Sequence, residues 1–200
     1  MKVKTIRTCI QIAALLAAIG FNDGAQAGIF SSVNTAAAAP QSDTKIEVAF
    51  SPGGGANALV IRALNSARSS IRLAAYTFTS PEVVRALIAA KRRGVDVAVV
   101  ADYRNNVSED RSGKARAALN LLVNAGIPTR TIATFPIHHD KYAVIDGRQV
   151  QTGSFNYTVA AATKNSENVL VLWNAPDIAR QYLAHWQSRY EQGQDYRSAY

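Results

Sequence analysis

Cysteine is nearly absent from this chain, with one in 200 residues, Cys9. Cys9 precedes an apolar run at the N-terminus and would leave with a cleaved signal peptide. The mature protein then has no disulfide and no thiolate with which to build a zinc or iron–sulfur site. Histidine is scarce too, with three in all. Long apolar runs are missing: the stretch from about Ile10 to Phe21 is too short to span a membrane. No carboxylate cluster suited to Mg²⁺ is visible, and nothing resembles a helix-turn-helix or another base-reading module. No metal or other cofactor is expected. An exported chain without disulfides must be held together by core burial, for which about 150 folded residues suffice.

What is present begins with Lys2, Lys4 and Arg7 ahead of the apolar run, and with Ala25 and Ala27 at the positions a signal peptidase reads. This predicts a signal peptide over 1–27, export to the periplasm (secretion being the further destination), and no stable membrane insertion after cleavage. Residues 28–44 are small and polar without apolar period and read as a flexible leader. The folded domain is expected over 45–195. Losing Lys2, Lys4, Arg7 and Asp23 takes the formal charge from +8 to +6. That excess suits a polyanionic partner, nucleic acid or an anionic surface.

Within 45–195 short apolar segments alternate with helical periods. Strands are expected at Ile46–Phe50, Ile71–Thr77, Val95–Ala101, Thr129–Thr131, Lys141–Ile145, Val150–Thr152 and Glu167–Trp173, with a turn at Asp146-Gly147. Helices are expected around Leu59–Ala67, from Pro81 to Arg93 with Ser80 as cap, over Ser112–Asn124, and over Pro176–Gln192. Strands alternating with helices predict one α/β domain, a mixed β-sheet flanked by helices on both faces.

One block concentrates the groups that phosphate chemistry uses. His139 and Lys141 are two apart and share a face of an extended segment. Asp146 follows at a turn, facing away by alternation, which favours a structural contact there. Gly153 allows close backbone approach, and Ser154 and Asn156 again share a face. If the two segments are neighbours, His139, Lys141, Ser154 and Asn156 meet around one small anion. A histidine can attack phosphorus or transfer protons while the others hold the non-bridging oxygens. A lone H-x-K is most often two ordinary polar residues; H-x-K-x4-D-x6-G-S-x-N is far more specific.

That block resembles the signature of the phospholipase D superfamily, and the chain is similar to its small bacterial endonucleases, which are exported and carry one copy. The resemblance runs from about Lys45 to Trp186 and includes Ser-Pro-Gly-Gly-Gly at 51–55 and Glu167 in Asn-Ser-Glu-Asn. It implies a phospholipase D-like fold and a metal-independent mechanism. One histidine forms a phosphohistidine and a second protonates the leaving oxygen, then deprotonates water. Lysine, serine and asparagine neutralise the pentacoordinate state. It also implies that Glu167 accepts a hydrogen bond from His139 and orients it. The chemistry needs two copies and the chain has one, so a homodimer with one centre at its interface is expected.

Further residues carry two readings each. Arg111, Lys114 and Arg116 flank a loop that could meet a nucleic-acid backbone, or they form a solvated helix face. Tyr157 could stack on a base, though packing is the plainer role, and Tyr182, Trp186 and Tyr190 suit a core or a dimer contact. The leading functional reading is a non-specific endonuclease for DNA, with RNA as a second substrate. Its alternatives are a lipid phosphodiesterase of the phospholipase D type and an inactive nucleic-acid-binding protein.

Overall fold

Residues Val97 to Ala101 are apolar without interruption, so neither face of that segment can meet water. In the computed structural model, which describes residues 43–198, they lie in an inner strand of an eight-stranded sheet. In chain order the elements are β1 (Lys45–Ser51), α1 (Gly55–Asn65), β2 (Ser70–Ala75), α2 (Pro81–Arg92), β3 (Asp96–Asp102), a π-helical turn (Arg104–Ser108), α3 (Lys114–Asn124), β4 (Thr129–Ile132), β5 (Lys141–Ile145), β6 (Gln149–Gly153), α4 (Val159–Thr163), β7 (Glu167–Trp173), α5 (Pro176–Gln192) and β8 (Gln194–Asp195). The sheet order is β1-β7-β6-β5-β2-β3-β4-β8. β2, β3 and β4 run parallel, joined through α2 and α3, and every other pairing is antiparallel. The expected signal peptide over 1–27 and the leader as far as residue 42 lie outside the described residues.

Alternation along the strands sorts side chains between two cores. Ile71, Leu73 and Ala75 of β2 and Val97, Val99 and Ala101 of β3 pack with α1, α2 and α3. Ala74, Val100, Tyr142 and Val144 face the other way and meet Ala179 and Trp186 of α5. Trp186 is fully buried and donates its indole N–H to the Leu73 carbonyl at 2.9 Å. Tyr190 stacks on it, and Tyr182 meets Tyr142 edge-on. The C-terminal aromatics are thus bonded into the α5-side core. α2 begins as its sequence requires: the Ser80 hydroxyl accepts from the Val83 N–H and Pro81 occupies the first turn.

α5 does not reach the whole of its face. Register pairs Ile46 with Leu172, Val48 with Leu170 and Phe50 with Asn168, placing all three β1 residues on the α5 side. Their relative exposures are nevertheless 58%, 55% and 65%. At one end of the sheet, β1, β2, β3 and β6 finish while β5 and β7 begin, with Ser51 opposite Glu167, Ala75 opposite Lys141 and Gly153 opposite Val169. Residues far apart in sequence therefore arrive at one edge.

Candidate active site

Lys141 opens β5 at that edge and is 8% exposed. Its ammonium donates to the His139 carbonyl at 2.7 Å and stands 5.1 Å from the Tyr76 ring centroid. Burial lowers its pKa from the ordinary lysine value, with Asp140 and Glu167 opposing that shift. His139 is exposed and meets the edge of Tyr76, with centroids 4.7 Å apart. Both motif side chains therefore gather around Tyr76.

From β6 the chain turns out of the sheet at Gly153. That glycine has φ 147°, and a Cβ there would fall 2.2 Å from the Asn168 carbonyl oxygen. Only glycine fits. The turn delivers Ser154, whose hydroxyl donates to a Glu167 carboxylate oxygen at 2.6 Å and accepts from the Asn168 N–H at 3.1 Å. The other Glu167 oxygen accepts from the Asn165 amide at 3.0 Å. Among the described residues of one chain, Glu167 binds Ser154 and Asn165 and makes no hydrogen bond to the ring of His139. Its position opposite Ser51 puts it nearer the β6 turn than the start of β5. Asn156 lies two residues past Ser154, and its buried side-chain oxygen has no partner among the described residues.

Asp146, in a left-handed conformation at φ 53°, lies at the opposite end of β5 from Lys141. Its carboxylate accepts from the N–H groups of Arg68, Ser69 and Ser70 at 2.8–3.1 Å and from the Ser69 hydroxyl at 2.9 Å. Burial pushes its pKa up, but the N–H donors of Ser70, Ser69 and Arg68 outweigh that and hold it below the ordinary value. Tyr157 is buried with its hydroxyl on Gln151.

Arg111, Lys114 and Arg116 do not line the cavity at His139. The Arg116 guanidinium donates to the Val107 carbonyl at 3.0 Å, and Lys114 borders an apolar groove with Val84 and Leu121. α3 starts at Lys114, later than Ser112, because Ser112 is engaged by Asp110 and Gly113 takes a left-handed conformation.

Three features have no sequence signature. Asp102, buried at the end of β3, accepts from the His138 N–H at 2.7 Å and so fixes the approach to His139. Asn106 of the π-helical turn bridges the Tyr76 and Asp102 carbonyls and the Phe78 N–H, holding Tyr76 beneath His139. Across the cavity, His185 Nε2 lies 2.9 Å from Asp140 Oδ2. Each is a contact between segments at least 28 residues apart, except the bond from Asn106 to Asp102. The cavity itself, about 420 Å³, is lined by His139, Lys141, Thr152, Gly153, Tyr182 and His185 among others.

Residues 60–190 match the family described as "Cardiolipin synthase, PLD-like domain". The chain belongs to the phospholipase D superfamily. Members of this superfamily act on phosphodiester bonds, and the chain is a hydrolase of that class. It is 51% identical to Nuc from Salmonella typhimurium, a phospholipase D family member, whose structure superposes with a TM-score of 0.75 over 78% of this chain and 100% of that one. It is also 36% identical to a phospholipase D of Rickettsia bellii over 74% of this chain and 70% of that protein. Mitochondrial cardiolipin hydrolase of Mus musculus is 33% identical over 66% of this chain and 57% of its own length. Within the superfamily frame, the edge holding His139, Lys141 and Ser154 has the groups for nucleophilic attack, proton transfer and neutralisation of a phosphoryl centre.

Proposed function

We propose that the chain is an exported endonuclease that cleaves DNA, and RNA as a second polymer, without sequence preference and without a metal ion. His139 attacks phosphorus to form a phosphohistidine, or protonates the leaving oxygen, depending on which copy it belongs to. The leaving strand takes that proton, and water then attacks the phosphohistidine, giving its own proton back to the acid histidine and regenerating the nucleophile. Lys141, Ser154 and Asn156 stabilise the charge on the non-bridging oxygens. Glu167 acts through Ser154, whose hydroxyl it fixes.

The observation that carries this reading is a single H-x-K and G-S-x-N set at one sheet edge, in a chain whose chemistry needs two. Two copies meeting about a two-fold axis complete it. The exposed β1 strip of Ile46, Val48 and Phe50, which ends beside Ser51 and Glu167, suits such an interface. Burying an apolar side chain of that size contributes about 1.5–3 kcal/mol. Without residues 1–27 the formal charge is +6, which favours a polyanion, and recognition would rest on phosphates.

A second reading keeps the chemistry and makes the substrate a phospholipid. It is favoured by the names of two relatives, phospholipase D and cardiolipin hydrolase, and by the mostly apolar groove between α2, α3 and α4. The test is chain from Gly28 with supercoiled plasmid in excess EDTA, beside His139→Ala and beside phospholipid vesicles. Nicking by wild type only, with activity lost by roughly a thousandfold or more in the variant, is the expected outcome. Cleavage only after Mg²⁺ is added defeats the metal-independent mechanism, and turnover of the vesicles alone defeats the nuclease.

A further inference from the structure

α5 brings polar groups into the cavity beside His139 that the superfamily signature does not contain. His185 is the central one. Its Nε2 is 2.9 Å from Asp140 Oδ2, and Asp140 stands between His139 and Lys141 in the chain. The same carboxylate oxygen is 3.4 Å from Nδ1 of the buried His138. Gln181, one turn before His185 on α5, shares its face. Gln181, Tyr182 and His185 line one wall of the cavity, and Thr152 of β6 joins them near Lys141 and His139.

His185 meets the Tyr142 ring at 6.1 Å between centroids, a contact that leaves its polar atoms to other partners. Its neighbour Trp186 faces the core and is buried, whereas the His185 side chain is 41% exposed and opens onto the cavity. Asp140 engages Nε2, which leaves Nδ1 as the ring atom available to a ligand. Neutral, that atom accepts from a sugar hydroxyl; protonated, it donates to a phosphate oxygen. Asp140 keeps its negative charge, but the Lys141 ammonium that it stabilises stands at the same cavity and offsets it. An amide, a phenol, an imidazole and a hydroxyl in a row beside a phosphodiester site match the next sugar–phosphate unit of a polymer better than an acyl chain.

We infer that α5 forms a subsite for the nucleotide adjacent to the scissile phosphodiester, with His185, aligned by Asp140, and Gln181 as its contacts. This rests on the endonuclease reading above. The test compares a single-stranded oligonucleotide with bis(p-nitrophenyl) phosphate, a diester with no adjacent nucleotide, for wild type, His185→Ala, Gln181→Ala and the double variant. In the double variant, the ratio of kcat/KM on the oligonucleotide to that on the small diester drops about tenfold, equivalent to about 1.4 kcal/mol. The drop comes through KM. Gln181 is exposed, so Gln181→Ala tests the subsite even if His185→Ala folds poorly. An unchanged ratio overturns the subsite, whether both activities fall together, because Asp140 and His185 only brace His139, or neither falls. Wild type that turns over the small diester but no oligonucleotide overturns the endonuclease reading, and the subsite with it.

Discussion

Asp146 and His139 belong to one signature, yet the structure gives them different work. His139 is exposed beside a cavity, whereas Asp146 is tied to three successive backbone N–H groups and a hydroxyl. Asparagine at 146 keeps the shape but weakens charge-assisted bonds, so Asp146→Asn lowers unfolding free energy by about 1–2 kcal/mol. The pH dependence follows from the direction of its pKa. The folded value lies below the unfolded one, so the stabilisation is fully present above the ordinary carboxylate range and is lost as pH falls through the folded value. Denaturant melts from pH 7 downward should show the gap between wild type and Asp146→Asn narrowing with acid. A gap that widens contradicts the assignment. The turn contact was legible in sequence because strand alternation from Lys141 turns Asp146 away. The Ser154–Glu167 bond was not, since it depends on which strands become neighbours.

At the scale of elements, periodicity served well where one face of a segment is buried. β7 spans Glu167–Trp173 and α5 Pro176–Gln192, both as the sequence pattern sets them. It failed where tertiary contacts decide. β2 stops at Ala75, short of the expected Thr77, where Asn106 captures the Tyr76 carbonyl. The π-helical turn that supplies Asn106 has no apolar period to announce it, α4 is five residues long, and β8 is two. β1 shows the converse: its apolar residues alternate as a half-buried strand should, yet no element among the described residues covers the face they build. If that face is where two copies meet, Val48→Lys combined with Phe50→Glu separates them. Because both positions are exposed, the folded chain should lose no more than about 0.5 kcal/mol per site. Sedimentation should then show monomer, with nuclease activity falling in parallel and the thermal midpoint nearly unchanged. A variant that stays dimeric and active removes β1 from the interface.

For the whole molecule, the decisive question is whether one chain or two make a catalytic centre. One fold supplies one His139, one Lys141 and one Ser154–Glu167 pair at a sheet edge, while the proposed two-step reaction needs a nucleophile and a separate proton donor. If the centre is shared, a dimer with one defective copy is dead, because each reaction draws on both histidines. Wild type and His139→Ala, mixed in equal amounts and allowed to exchange subunits, form wild-type dimers as only about a quarter of the population. Activity per wild-type chain should therefore fall to about half its unmixed value, and fall further as the variant is added in excess. Chains that act independently would keep their full activity at every ratio. Subunit exchange can be followed with two fluorescent labels, so that constant activity in a fully exchanged mixture would place both proton transfers and the covalent step within a single chain.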